Sequence, residues 1–309
     1  MLIGVTGTLC SGIEDVVTYL EEVKGFSKIG LVDESKNLLG SETDLIDFVT
    51  KNWRENYVLT DIKSIEFLES LLKRPFFLHV SVDRSLKLRY ERYQLTKNTS
   101  FGSFAEISDN QLFDNQCTQL KIIDRSEIKI INNTKSKAEL HDLLASLNLT
   151  NNERLRPSWD LYFMRLADLA ALRSNCMKRR VGCVIMRENR VIATGYNGTP
   201  RNFVNCNQGG CPRCNSGNTC GVGLSTCLCL HAEENALLES GRDRIGKGAV
   251  LYCNTCPCLT CSIKIVQCGI EEVVYSQSYS MDDLSSNVFK QAGVKLRQFI
   301  PAPNGVICS

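Results

Sequence analysis

Two kinds of hydrophobic patterning alternate along this chain. Short unbroken apolar runs ending in glycine, asparagine or aspartate read as buried strands, and apolar positions three and four apart read as helices packed on them. Leu2-Ile3-Gly4-Val5-Thr6-Gly7 is the first such run, followed by a helical pattern through Val16, Val17 and Leu20. Tyr57-Val58-Leu59-Thr60-Asp61, Phe76-Phe77-Leu78-His79-Val80-Ser81-Val82-Asp83 and Lys129-Ile130-Ile131-Asn132-Asn133 predict further strands. A basic helix is expected over 86–93 and another helix over 138–147. Polar residues 148–153 then read as a linker.

Beyond the linker the pattern changes. Ser158 is placed to cap a helix carrying Leu161, Met164, Leu166 and Leu169. Residues 181–186 and 191–195 predict a hairpin turning at Glu188-Asn189. Helices over 231–240, 258–268 and 283–292 are expected between strands over 249–253, 271–275 and 294–299. The fold class is therefore α/β, in two domains: a parallel α/β domain over 1–148, and an α/β/α layer domain over 156–309.

With 309 residues, each domain is long enough to bury its own core. Lysine plus arginine number 36 against 34 acidic residues, which argues against a polynucleotide-coating surface. A small anionic ligand held by a few local donors remains compatible. No apolar run approaches a membrane span, and Met1-Leu2-Ile3-Gly4 has no charged segment before it, so secretion is not expected. Of the 16 cysteines, only Cys10 and Cys117 precede residue 150. In a chain without a signal peptide that clustering reads as metal binding, and the expected compartment is the cytoplasm, with the nucleus as a second.

The chemistry concentrates between His231 and Cys261. His231-Ala232-Glu233-Glu234-Asn235 opens this stretch and Pro257-Cys258-Leu259-Thr260-Cys261 closes it. One histidine and two cysteines are the protein ligands of an open tetrahedral zinc site, with the fourth position left for water. Cys258 and Cys261 are expected on one face of a helix's first turn, where the positive helix end favours thiolate. Glu233, two residues after the histidine, is placed to shuttle protons. A Cys-x-x-Cys pair alone is as often structural or redox-active; with the histidine and glutamate at the start of another helix it points to catalysis.

The N-terminal run has a different history. Gly7-Thr8-Leu9-Cys10-Ser11-Gly12 between strand and helix has the layout of a phosphate-binding loop. Ile13 and Glu14, however, stand where the lysine and the serine or threonine belong. No cation is left for the β- and γ-phosphates, and a carboxylate sits where magnesium's hydroxyl ligand should be. Residues 1–148 resemble a nucleoside-monophosphate-kinase-like or dephospho-coenzyme-A-kinase-like fold that has lost its working residues. Arg84, Arg89 and Arg92 read as a solvated helix face, or as a remnant phosphate lid. His79 and His141 lack metal-like neighbours and read as structural.

The paired His-x-Glu and Pro-Cys-x-x-Cys motifs are the signature of zinc nucleobase deaminases. With Arg156 to Asp160, Val181-Gly182, Gly195-Tyr196-Asn197-Gly198-Thr199-Pro200 and Val274-Tyr275, residues 156–300 resemble the deoxycytidylate (dCMP) deaminases. The kinase-like extension resembles the fungal form of that family. The resemblance implies a cytidine-deaminase-like fold and zinc-dependent hydrolysis of dCMP to dUMP and ammonia, supplying the dTTP pathway. It implies His231, Cys258 and Cys261 as zinc ligands, Glu233 as general acid and base, and Asn197 as a contact to the substrate sugar or phosphate. The alternative reading of Asn197 is a turn residue of unusual backbone. Lys178-Arg179-Arg180 is either a set of phosphate donors or a solvated basic run, and Tyr279 is either a core aromatic or a ring stacked near the nucleotide. A homo-oligomer, with a hexamer as one form, activated by dCTP and inhibited by dTTP, is implied by family.

Cys206, Cys211, Cys214, Cys220, Cys227 and Cys229 crowd a glycine- and asparagine-rich segment with little apolar content, which needs a staple. A second, structural zinc is the natural one. The resemblance points to Cys176, Cys206, Cys211 and Cys227 as its ligands, while Cys211 and Cys214 form an alternative Cys-x-x-Cys half-site. Three other functions stay open on the residues: a deaminase of another base, a non-catalytic zinc scaffold, and a bifunctional kinase–deaminase. The close spacing of Cys258 and Cys261 disfavours a riboflavin-type deaminase, and the near-neutral charge disfavours a tRNA enzyme.

Overall fold

The computed structural model describes residues 1–31, 40–217, 222–223, 226–278 and 282–308; Cys220 and Tyr279 lie outside them. The chain forms two compact units, Met1–Arg156 with Ala302–Ser309, and Pro157–Pro301.

In the first unit, β1 (Leu2–Gly7), α1 (Ile13–Lys24), β2 (Ser27–Ile29), α2 (Glu42–Lys51) and β3 (Tyr57–Leu59) come first. They are followed by α3 (Ile65–Leu72), β4 (Phe77–Asp83), α4 (Leu86–Gln94), α5 (Phe101–Leu112), α6 (Thr118–Asp124), β5 (Ile128–Ile131) and α7 (Lys137–Leu147). All pairings are parallel, in the order β5-β4-β1-β3-β2. β1 is buried along its whole length, as its unbroken apolar run requires, and one core joins Ile3, Val5, Val80 and Val82 to Val16, Val17 and Leu20 of α1. Gly12 opens α1 at φ 105°, a left-handed conformation that glycine adopts without strain. Glu14 is exposed and pairs with Lys28 at 3.0 Å.

Two readings in this unit are settled by partners. The expected solvated arginine face is corrected: Arg89 is buried, donating to the Ser108 hydroxyl at 2.8 Å and the Arg84 carbonyl at 3.1 Å, while Arg92 pairs with Asp15 at 2.7 Å. His79 is fully buried 2.9 Å from the Thr6 hydroxyl, and burial lowers its pKa to about 4. It is a neutral core histidine.

The second unit contains α8 (Trp159–Ala171), β6 (Gly182–Arg187), β7 (Arg190–Tyr196), the short α9 (Pro212–Asn215), α10 (Ala232–Ile245), β8 (Val250–Thr255), α11 (Leu259–Cys268), β9 (Glu272–Gln277), α12 (Asp282–Ala292) and β10 (Lys295–Gln298). The sheet order is β10-β9-β8-β6-β7, with β6 antiparallel to both neighbours and the other pairs parallel. Glu188 and Asn189 both take positive φ (52° and 59°), the conformation of a tight hairpin turn. Phe163, Met164 and Ala167 of α8 pack on Val184, Met186, Tyr252 and Val274 on one face of the sheet. Ala232, Ala236, Ile265 and Phe289, from α10, α11 and α12, pack on Cys183, Ile185, Leu251 and Val273 on the other. This is the expected three-layer arrangement. Asp160 locks the first layer to the sheet, accepting from Tyr252 and from both Arg297 terminal nitrogens at 2.7 Å each; that arginine holds its carboxyl below the usual range.

Gly195 positions the working end of α10. A Cβ there would lie 2.1 Å from the Ala232 carbonyl oxygen and 2.5 Å from the Ala236 nitrogen. Gly195→Ala must therefore push away the turn that carries Glu233. The expected cost is about 1–3 kcal/mol in thermal unfolding, with reduced turnover in the folded fraction. An alanine variant as stable and active as the parent would show that this close packing does not set the site.

Two boundaries depart from expectation. The first domain, expected over 1–148, runs on to Arg156, with Leu149 buried in its core, so residues 148–153 belong to it and are not a linker. The second domain was expected to run over 156–309, but it ends at Pro301. β11 (Gly305–Cys308) instead pairs in parallel with β5, extending the first sheet to six strands, and Arg154 donates to Asn304 at 3.1 Å. Edge pairing supplies backbone partners that residues 305–308 lack locally.

Candidate metal-dependent active site

His231 and Cys258 are the N-cap residues of α10 and α11, and Cys261 lies in the first turn of α11. Two helix starts therefore bring the three side chains to one point. The Glu234 carboxylate accepts the His231 backbone N–H at 2.9 Å and pairs with Lys264 of α11, tying one helix start to the other. His231 Nδ1 lies 3.4 Å from Cys258 Sγ and 3.3 Å from Cys261 Sγ.

These separations fit zinc. Bonds of about 2.3 Å to sulfur and about 2.0–2.1 Å to nitrogen place tetrahedral ligands about 3.5 Å apart. Among the protein groups alone, the hydrogen bond from Cys261, then those from His231 and Thr260, pull the Cys258 thiol down to about 3. Cys261 is pushed up by the same hydrogen bond. The pair thus holds one thiolate ready, with the Thr260 hydroxyl 3.1 Å from Cys258 Sγ.

Glu233 is buried, and burial raises its carboxyl to about 7. It lines a cavity of about 380 Å³ together with His231 and Cys258. Lys178, Arg179 and Arg213 line the same cavity, as do Asn197, Thr255 and Cys256. Thr255 Oγ1 is buried and has no hydrogen-bond partner among the described residues.

Asn197 is held with an ordinary backbone, outside the left-handed region, which removes the unusual-turn reading. Its Oδ1 accepts from Ser174 Oγ at 2.6 Å and Val181 N at 2.9 Å, and its Nδ2 donates to the Arg179 carbonyl at 2.8 Å. Three of its four hydrogen-bonding places are filled, leaving one amide N–H. Its first role is therefore to fix residues 179–181 along the cavity wall.

The cysteine-rich segment is gathered differently from the expected quartet. Cys176, Cys206, Cys211 and Cys227 do not close around one point. Cys176 and Cys206 group with Cys214 and Cys229, whereas Cys211 and Cys227 form a second group with the same Cys214 and Cys229. The quartet implied by the resemblance omitted the two shared residues, although the Cys-x-x-Cys spacing offers Cys214 as a partner of Cys211. Spacing along the chain missed Arg213 and Thr255, which carry no motif.

The family model for the cytidine and deoxycytidylate deaminase zinc-binding region matches residues 157–277. A deoxycytidylate deaminase of Schizosaccharomyces pombe is 51% identical over 320 residues, covering 98% of this chain and 99% of its own. The one from Saccharomyces cerevisiae is 48% identical over 311 residues, covering 97% and 96%. A deoxycytidylate deaminase of Mycobacterium phage D29 is 45% identical over 125 residues, 39% of this chain and 95% of its own. Joined to the ligand geometry around His231 and the buried Glu233, near-full-length identity of this order shows that the chain belongs to the deoxycytidylate deaminase family.

Proposed function

We propose that this protein hydrolyses dCMP to dUMP and ammonia. The observation that carries the reading is one cavity lined by a metal-ligand set, a buried glutamate and three cationic side chains. Its volume of about 380 Å³ is of small-molecule size. Lys178, Arg179 and Arg213 give it the charge to hold a phosphate, and near-neutral net charge elsewhere fits a nucleotide better than a polynucleotide.

His231, Cys258 and Cys261 would hold the zinc. Bound zinc supplies Lewis acidity that lowers the pKa of water from about 15.7 towards about 7. Glu233 accepts a proton from the attacking water and passes it to ring N3 as the oxygen adds to C4. It then takes the second proton from that oxygen and delivers it to the exocyclic amine; the C4–N bond breaks and ammonia leaves. A carboxyl near 7 suits a group that must both accept and release a proton at neutral pH. The free amide N–H of Asn197 and the Thr255 hydroxyl are the uncharged groups left to meet the sugar or base.

The test is ammonia release from dCMP, deoxycytidine and CMP, with and without dCTP. Selective turnover of dCMP is expected. No turnover on any of the three, with zinc present, would turn the reading to another base or to a silent scaffold.

The same proposal includes dCTP activation, dTTP inhibition and a homo-oligomer, supported by family membership. It includes a structural zinc in the cysteine-rich segment, supported by the packing of six sulfurs there. The first unit we read as a kinase-like domain without kinase activity, supported by its parallel sheet and by Ile13 and Glu14 after the glycine loop. A cytoplasmic location is in keeping with this chemistry, and no helix among the described residues is long and apolar enough to cross a membrane.

A further inference from the structure

We propose that Cys176, Cys206, Cys211, Cys214, Cys227 and Cys229 hold two zinc ions, not one, with Cys214 and Cys229 as thiolates bridging both. The inference extends the structural-zinc reading above. The six residues form one sulfur cluster in which four are buried and two half-buried. Two sets of four can each converge on a single ion, and they share two members. That is the connectivity of two tetrahedra joined along one edge.

The distances agree. Tetrahedral zinc with bonds of about 2.3 Å to sulfur spaces its sulfurs about 3.8 Å apart. The separations are 3.8 Å for Cys176–Cys214, 3.9 Å for Cys211–Cys227, 3.7 Å for Cys214–Cys227 and 3.9 Å for the shared edge Cys214–Cys229. A disulfide needs about 2.05 Å, so the cluster is not a set of disulfides. One ion in either group would leave two cysteines idle within a sulfur-lined pocket. Two ions use all six.

Backbone donors mark one unshared sulfur in each group. Met177 N–H donates to Cys206 Sγ and Leu228 N–H to Cys211 Sγ, both at 3.4 Å. Such donors stabilise thiolate and are the outer support expected of metal-bound sulfur. Two zinc ions with six thiolates carry a net charge of about −2. Buried Arg213 adjoins Cys214 in sequence, and Lys178 and Arg179 follow Cys176 closely. The cluster therefore anchors the segments that bring all three cations to the active-site cavity.

Native mass spectrometry of the full chain, reconstituted with zinc and freed of excess, tests the count. Three zinc ions per chain are expected: one at His231 and two in the cluster. Two per chain would overturn the paired cluster while leaving a single structural zinc; one per chain would overturn both. Refilling with NMR-active cadmium tests the bridge. Two resonances coupled to each other through sulfur are expected beside an uncoupled third, and two uncoupled cluster resonances would overturn the shared thiolates. Cys214→Ser is expected to lose both cluster ions and Cys206→Ser one; equal losses would also count against bridging. If either variant fails to fold, the wild-type count and coupling still decide.

Discussion

Glu233→Gln is expected to keep its catalytic zinc and lose turnover by about 10²–10⁴-fold or more, the range typical of a positioned general acid and base. The substitution changes one atom and preserves shape. Because His231, Cys258 and Cys261 supply the ligands, zinc content should be unchanged. An amide cannot accept the water proton, so neither the addition to C4 nor the departure of ammonia is assisted. Stability should be kept or raised near and above pH 7, since burial lifts the carboxyl to about 7, which makes its ionised form costly at this 4% exposed position, and a neutral amide carries no ionic desolvation cost. Ammonia release on dCMP, zinc per chain and thermal unfolding, measured together, separate the possibilities. A near-normal rate would remove Glu233 from the proton path. Loss of zinc in parallel with rate would instead make it a metal ligand.

What sequence made visible here follows from where the determining interactions lie. His231, Glu233, Cys258 and Cys261 were legible because helix starts concentrate metal chemistry within a few residues, and the two motifs carry their spacing with them. The Glu188-Asn189 hairpin was legible for a similar reason: its strands and turn are contiguous. β11 was not, because residues 305–308 become a strand only through β5, far away in the chain. Arg89 looked solvated in a basic run, yet its burial depends on Ser108 from α5. The sulfur cluster lies between these cases. Six cysteines announced a metal, but assigning Cys214 and Cys229 to both groups needs distances, and spacing carries none.

Limited chelation is expected to abolish deamination before it disturbs the fold. The zinc at His231 would have three protein ligands and an open position facing the cavity. Each ion of the sulfur cluster would instead have four protein sulfurs and no open position, although Cys176, Cys214, Cys227 and Cys229 line the same cavity. A competing ligand should therefore strip the catalytic zinc first. Turnover should fall to background as the first zinc per chain is lost, because Glu233 alone cannot make water a nucleophile at neutral pH. The circular dichroism spectrum should be retained at that stage, and added zinc should restore the rate. Deeper chelation should then unfold the segment around residues 206–229, which has little apolar content to hold it. If unfolding came first, the cluster would be the weaker metal site, and the argument from ligand number would fail. If activity survived loss of the first zinc, the ion removed would not be the one beside Glu233.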